Sequence, residues 1–284
     1  MEEQQRIQLL ALDVDGTLFG TDGKVTPASV EAVRRAQEKG VQVVLASGRD
    51  YDGLPWDQLK DVQIDYVITT NGSAVYRTRD RKCLKEECLD KEKMIPLFEY
   101  ILSKEVYLSV FIDGVNYTPT QCFPYVEKMI IPDYVKTALR TKANRMEDMI
   151  SYLRENDAKI QKATLNFQYQ DGEYLNREEV KEKLESCPDI NVVDGGFSNL
   201  EFTRTGVCKA TGLEMLAEYL NVPMECVMAV GDSENDIEMI EAAGYGIAMG
   251  NALESVKAVA KDVTLSNDED GVAAAIEKYI TGAR

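Results

Sequence analysis

The chain has 284 residues, 44% of them apolar, enough for a substantial core and, by length, for about two domains. Its 49 acidic and 32 basic residues leave a net charge of −17. That balance argues against nucleic acid or an anionic membrane as a partner, but not against a small anionic metabolite held by a local cation.

There is no histidine, which excludes Ser-His-Asp and Cys-His catalysis, phosphohistidine chemistry and His-ligated zinc. Acid–base work near neutral pH falls to Asp, Glu, Lys, Tyr or Cys. The six cysteines (Cys83, Cys88, Cys122, Cys187, Cys208 and Cys226) form no Cys-x-x-Cys pair. Neither the start, Met1-Glu2-Glu3-Gln4-Gln5-Arg6, nor any later run has the apolar length of a secretory or membrane-spanning segment. A reducing, cytoplasmic setting is expected.

In chain order, residues 7–12 read as a strand buried on both faces. It runs directly into Asp13-Val14-Asp15-Gly16-Thr17. Thr26 as N-cap, Pro27 at the first helical position and Gly40 as a stop predict a helix over 27–39. Apolar strands follow at 41–46 and 66–69. This strand–helix–strand rhythm predicts a parallel sheet covered by helices. Residues 77–93 are crowded with charge and read as a solvated connection or exposed face.

From about 84 to 194 the pattern changes. Longer strands (106–112, 164–169) alternate with amphipathic helices such as 146–155, and Asp113-Gly114 and Asp171-Gly172 predict hairpins. After Gly195-Gly196 the first rhythm returns: a strand at 200–203, a helix at 209–220, a strand at 226–230 and a helix at 234–242. A short strand at 246–249 and helices at 253–260 and 271–280 complete it. The expected fold class is α/β, a parallel-sheet core made of 1–83 and 195–284 with an α+β domain inserted at 84–194.

Four segments put polar groups just past strand ends, the edge where open parallel sheets bind ligands. Asp13 and Asp15, two apart in an extended stretch, are expected on one side, one able to attack and the other to handle protons. Asp-Gly is also a common turn signal. Leu18 stands where an EF-hand or a phosphate-binding P-loop needs glycine, so both of those readings fail. Ser47-Gly48-Arg49 offers a hydroxyl and backbone amides to an anion, or Ser47 is simply a helix N-cap. Lys209 opens a helix against the macrodipole, which suits an anion nearby, or it is a solvated surface lysine. In Gly231-Asp232-Ser233-Glu234-Asn235-Asp236, Ser233 and Asp236 suit a capping pair. Asp232, at the strand tip, would sit beside Asp13 in an all-oxygen site for Mg²⁺.

Together and in this order, these segments resemble the haloacid dehalogenase-like phosphatase superfamily, specifically its Cof-type (IIB) branch. The resemblance rests on Leu12-Asp13-Val14-Asp15-Gly16-Thr17-Leu18, Ala46-Ser47-Gly48-Arg49, Thr70-Asn71-Gly72, Gly206-Val207-Cys208-Lys209 and 231–236. The tail segments 246–252 and 267–273 also belong to it. Ala210-Thr211-Gly212 after Lys209 departs from the branch's usual pattern.

The resemblance implies a Rossmann-like core with an α+β cap, and a Mg²⁺-dependent phosphoric monoester hydrolase acting on a small phosphorylated metabolite, sugar phosphates foremost. It implies Asp13 as nucleophile forming an aspartyl-phosphate and Asp15 as general acid then base. Mg²⁺ would be held by Asp13, the Asp15 carbonyl and Asp232. Ser47, Gly48, Arg49, Lys209 and Asn235 would serve the phosphoryl group and metal shell, with Asp236 behind them. The alternatives are a phosphosugar mutase and a non-catalytic phosphometabolite-binding protein. Tyr107, Phe111, Tyr117, Phe123 and Tyr125 in the insert suit either a substrate pocket or, at strand spacing, its core. The sequence does not set the oligomeric state.

Overall fold

A computed structural model describes residues 6–141, 143–195 and 198–282, with Tyr134 described by its backbone alone. It divides into two units, Met1–Glu86 with Val207–Arg284, and Glu87–Gly206. The first unit opens with β1 (Leu9–Leu12), α1 (Pro27–Glu38), β2 (Gln42–Ala46), β3 (Tyr66–Thr69), β4 (Ala74–Arg77) and β5 (Lys82–Glu86). The second holds α2 (Lys91–Leu102), β6 (Tyr107–Ile112), β7 (Val115–Pro119), α3 (Asp133–Thr141), β8 (Asn144–Met146) and α4 (Met149–Glu155). It continues through β9 (Ile160–Asn166), β10 (Tyr169–Gln170), β11 (Glu173–Tyr174), α5 (Arg177–Glu185), β12 (Ile190–Asp194) and β13 (Leu200–Arg204). The first unit resumes with α6 (Lys209–Leu220), β14 (Val227–Gly231), α7 (Ile237–Ala242), β15 (Tyr245–Ala248), α8 (Glu254–Val259), β16 (Asp262–Val263) and α9 (Gly271–Ile276).

The described strands of the first unit form one sheet, β16-β15-β14-β1-β2-β3-β4-β5, parallel from β16 to β3 and antiparallel through β4 and β5. Its central strands, such as β1 and β14, read as unbroken apolar runs because helices cover both faces. Leu10, Leu12, Val43 and Leu45 pack with Ala32, Val256 and Val272 of α1, α8 and α9. Leu9, Ala11 and Val44 pack on the opposite side with Leu213 and Leu216 of α6 and Met239 of α7. Helix α1 starts as the sequence predicts, with the Thr26 side chain accepting from the Ser29 amide. From β1 the chain proceeds one way to β2 and β3, while β14 leads the other way to β15 and β16. This reversal puts the carboxyl ends of β1 and β14 side by side, Leu12 opposite Val230, the crevice where such sheets bind ligands.

The second unit has its own sheet, β12-β13-β9-β6-β7-β8, and its own core, including Phe98, Leu108, Leu153, Leu165, Leu184 and Phe202. Both predicted hairpins form. Asp113 and Gly114 have φ of 51° and 80°, Asp171 and Gly172 of 53° and 95°, the paired left-handed residues that match strand twist. Of the five aromatics, Tyr107, Phe111 and Phe123 are buried, and Tyr117 and Tyr125 pack against the core.

The unit boundaries differ from the sequence expectation. Residues 200–203 do not re-enter the parallel core; as part of β13 they pair antiparallel with β12 and β9. The inserted unit therefore runs to Gly206, past 194. Gly195 instead donates to the Asn199 carbonyl at 3.1 Å, between two strands of one sheet. Gly196 lies outside the described residues. A Gly-Gly pair marks a change of direction, which a hairpin connection needs as much as a domain join. At the other end, part of the charged stretch 77–93 is not a loop. It forms β5, an edge strand, and charge is what keeps such an edge from recruiting other chains.

Candidate active site

Asp13 prolongs the extended run of β1, with φ −66° and ψ 161°. Alternation therefore sets its side chain with Leu9 and Ala11 on the α6–α7 face. There it is buried, and the Lys209 ammonium donates to its Oδ1 at 2.6 Å. The chain then winds into one wide turn, Val14–Leu18, in which the Phe19 amide donates to the Val14 carbonyl at 2.8 Å. Gly16 takes φ +80°, and a Cβ there would lie 2.3 Å from the Asp232 carboxylate. Glycine is thus required both for the turn and for the approach of the second strand end.

Asp15 lies in this turn and not in β1 itself, and its side chain is 58% exposed where Asp13 is buried. Arg49 forks onto Asp15, Nε to Oδ2 and Nη2 to Oδ1, both at 2.7 Å.

Lys209 is the first residue of α6 and only 1% exposed, so it is not a solvated surface lysine. Burial alone would lower its proton affinity, but the Asp13 and Asp236 carboxylates outweigh that and hold it charged. Asp236 Oδ1 accepts from Lys209 at 2.7 Å, and its Oδ2 accepts from the backbone amides of Asp232 and Ser233, each at 3.0 Å. The Ser233–Asp236 capping pair read from the sequence is formed. The helix expected at 234–242 begins as a 3₁₀ turn, Glu234–Asp236, before α7.

Asp232 takes a hydrogen bond from the Thr17 hydroxyl at 3.1 Å. Burial, then the neighbouring Asp236, raise its pKa to about 6. Asp13 is pushed well above the usual carboxylate range by burial and by Asp236, with Lys209 opposing and Asp232 adding to the rise.

Oxygens of Asp13, Asp232 and Asp236 lie within 4.8 Å of one another. Three acids face one ammonium, and their elevated proton affinities mark negative charge that one lysine does not neutralise. An all-oxygen set of this kind fits a hard divalent cation. Both oxygens of Asp236 already accept hydrogen bonds, from Lys209 and from two backbone amides.

Ser47 is fully buried at the end of β2. No helix follows it, so it is not an N-cap; its Oγ accepts from the Arg49 amide at 3.2 Å across Gly48. The next strand end supplies residues to which the sequence assigned no role. In Thr70-Asn71-Gly72 three successive residues take positive φ, 49°, 56° and 94°. The Thr70 amide donates to the Arg49 carbonyl at 2.9 Å and the Asn71 amide to that of Ser47 at 3.1 Å. Asn71 Oδ1 accepts from Asn235 Nδ2 at 3.0 Å. Asn235 thus meets this loop, while Asp236 meets Lys209.

A Cβ on Gly72 would lie 2.0 Å from the Cys208 carbonyl, so the loop seats directly against the start of α6. There the Thr211 hydroxyl accepts from the Cys208 amide at 3.2 Å, a local use for one residue of the departing segment. Thr70-Asn71-Gly72 and Thr17 belong to the segments that carry the family resemblance, but the sequence gives neither a role, and Asn-Gly after a strand signals an ordinary turn equally well. The tail segments brace the loop after β1: Asn251 Nδ2 donates to the Gly16 carbonyl at 2.8 Å, and Asn267 Nδ2 to that of Phe19 at 2.9 Å.

A strand-tip carboxylate beside a buried lysine and an acidic, oxygen-only cluster thus sits at the switch point of an open α/β sheet, the place where such sheets bind ligands. The sequence profile of haloacid dehalogenase-like hydrolases matches residues 10–276. Phosphatase YwpJ of Bacillus subtilis is 31% identical over 289 residues, covering 94% of this chain and 98% of that one. The 5-amino-6-(5-phospho-D-ribitylamino)uracil phosphatase YcsE of the same organism is 29% identical over 279 residues, covering 98% of each. The solved structure of a haloacid dehalogenase-like hydrolase from B. subtilis superposes with a TM-score of 0.81 at 28% identity, covering 95% of this chain and 99% of that one. The chain belongs to the haloacid dehalogenase-like hydrolase family. It is a phosphatase of small phosphorylated metabolites, a phosphoric monoester hydrolase. Among the described residues, no helix is long and apolar enough to cross a membrane.

Proposed function

We propose that the chain hydrolyses primary phosphate esters of polyhydroxylated metabolites, sugar phosphates foremost, through an aspartyl-phosphate on Asp13. The observation that carries the reaction is Lys209 Nζ held between Asp13 Oδ1 at 2.6 Å and Asp236 Oδ1 at 2.7 Å in a buried acidic cluster. Phosphate monoester hydrolysis is among the slowest uncatalysed reactions, with accelerations of up to ~10²¹-fold on record. A dianion meeting an anionic nucleophile needs positive charge fixed in place beforehand.

Asp13 attacks phosphorus, and Lys209 offsets charge at the nucleophile and on the phosphoryl oxygens. The Ser47 hydroxyl and the backbone of Ser47-Gly48-Arg49 hold those oxygens. Asp15, outside the buried cluster, delivers a proton to the departing alkoxide and then takes one from the water that cleaves the acyl-phosphate. Mg²⁺, held by Asp13, Asp232 and the Asp15 carbonyl, would supply the remaining charge neutralisation. Asp236 fixes Lys209 and the Asp232 backbone, and Asn235 braces Asn71.

The substrate class draws support from the relative acting on a phosphoribitylamino compound, a phosphate ester on a polyol chain. Purified protein with Mg²⁺ should release inorganic phosphate from sugar and polyol phosphates at least ~10-fold faster than from nucleotides or phosphoserine, as judged by kcat/KM. Asp13→Asn should lose at least ~10⁴-fold in turnover while keeping its circular dichroism spectrum. Conversion of one hexose phosphate into its isomer without phosphate release would overturn the hydrolase reading.

A further inference from the structure

We propose that Arg49 is a positioning residue for the Asp15 carboxylate and not a ligand of the transferred phosphoryl group. The inference rests on the reading of Asp15 as the proton donor to the leaving group. The sequence placed Arg49 with the anion-gripping loop after β2, but its side chain is committed elsewhere. Nε and Nη2 each donate to one oxygen of Asp15 at 2.7 Å. The third nitrogen, Nη1, donates to the Gly53 carbonyl at 2.8 Å. The guanidinium carbon lies 5.1 Å from the centroid of the Phe19 ring, which backs the group. Its backbone is tied down as well, the amide to Ser47 Oγ at 3.2 Å and the carbonyl to the Thr70 amide at 2.9 Å.

The paired N–H edge that would grip a phosphoryl group is the edge that grips Asp15. Both partners could not use it together. Stability does not explain the pair: the Arg49 and Asp15 side chains are 36% and 58% exposed, and ion pairs so exposed contribute little. What a two-point fork does confer is direction. Among the described residues, no other side chain hydrogen-bonds the Asp15 carboxylate, and its backbone, on the wide turn after β1, leaves the helical region with ψ 118°. Removing the fork would return that carboxylate to its free rotamers and misplace the proton it delivers.

A leaving-group comparison tests this. An alkoxide is a strong base and needs the proton, whereas p-nitrophenolate is a far weaker base and departs without it. The quantity kcat/KM reports the steps up to departure and is blind to the later hydrolysis of the acyl-phosphate. Arg49→Ala should lower kcat/KM for a primary alkyl phosphate such as glucose 6-phosphate by ~10–100-fold. The value for p-nitrophenyl phosphate should stay within ~3-fold, and the inhibition constant of inorganic phosphate should not move.

Arg49→Lys, which keeps the charge but not the fork, should show the same selectivity at smaller amplitude, and it provides a second variant if the alanine protein folds poorly. Asp15→Asn should show the full leaving-group discrimination. An equal fall for both substrates, with weaker phosphate inhibition, would make Arg49 a phosphate ligand and overturn the proposal. If Asp15→Asn itself fails to discriminate, the assignment of Asp15 as acid falls, and this inference with it. Discrimination by Asp15→Asn but not by the Arg49 variants would overturn the positioning role alone.

Discussion

A lysine in the first turn of a helix faces the positive end of the macrodipole, and a buried lysine loses its hydration. Lys209 meets both costs at once, and two carboxylates at 2.6 and 2.7 Å offset them. The acids around it are less well compensated. Asp232 carries a pKa of about 6 against an ordinary value near 3.8, burial being the main cause. Its sign follows from proton counting. Between about pH 4 and 6 the folded protein holds a proton that the unfolded chain has released, so metal-free stability declines as pH rises through that window. Thermal midpoints measured in chelator from pH 4 to 8 should show that decline, and Asp232→Asn should flatten it. Mg²⁺ competes with the proton for the carboxylate, so it should raise the midpoint strongly at pH 7.5 and weakly below pH 5.5. A midpoint that Mg²⁺ leaves unmoved at pH 7.5 would remove Asp232 as its holder. Asp13, Lys209 and Asp232 were legible because a charge at a buried strand tip or helix start is costly without a purpose. Thr17 and Asn71 were not, because threonine and asparagine at loop positions carry no such cost.

At the scale of elements, the loop after β3 joins the others. Thr70-Asn71-Gly72 takes carbonyl contacts from the loop after β2, touches the start of α6 and receives the Asn235 amide. A β-branched residue at φ +49° is strained, and strain of about 1–3 kcal/mol persists where neighbours over-determine the backbone. Gly72→Ala adds a Cβ 2.0 Å from the Cys208 carbonyl at φ +94°. It should cost about 2–4 kcal/mol in denaturant unfolding. It should also weaken inorganic-phosphate inhibition, because Ser47 and Lys209 would separate. Unchanged phosphate inhibition in a folded variant would confine the loop to a structural role. Local signals drew most of these elements well: α1 from its cap and proline, and both hairpins from Asp-Gly. Where a signal has two uses, as with Gly195-Gly196 or the charged stretch that becomes β5, only pairing partners decide between them.

For the whole molecule the net charge is −17, and the site itself sets three acids against one lysine. A dianionic substrate approaches against the mean field, and salt screens that field beyond about 8–10 Å. Raising sodium chloride from 10 to 150 mM should therefore increase kcat/KM for a phosphate ester by about two- to threefold, read at constant free Mg²⁺. A decrease would show that the local cationic field reaches further than the distant acids.

By itself the amino-acid order determined the fold class and the existence of an inserted second domain, and it singled out the candidate acids and lysine. Each of these is written locally, as apolar runs, periodicity changes and charges at strand ends. The tertiary structure alone decided that β13 belongs to the second sheet, that Asp15 leaves the buried cluster, and that Arg49 grips a carboxylate. Those outcomes depend on which groups distant in sequence come within hydrogen-bond reach, and such proximity has no local signature.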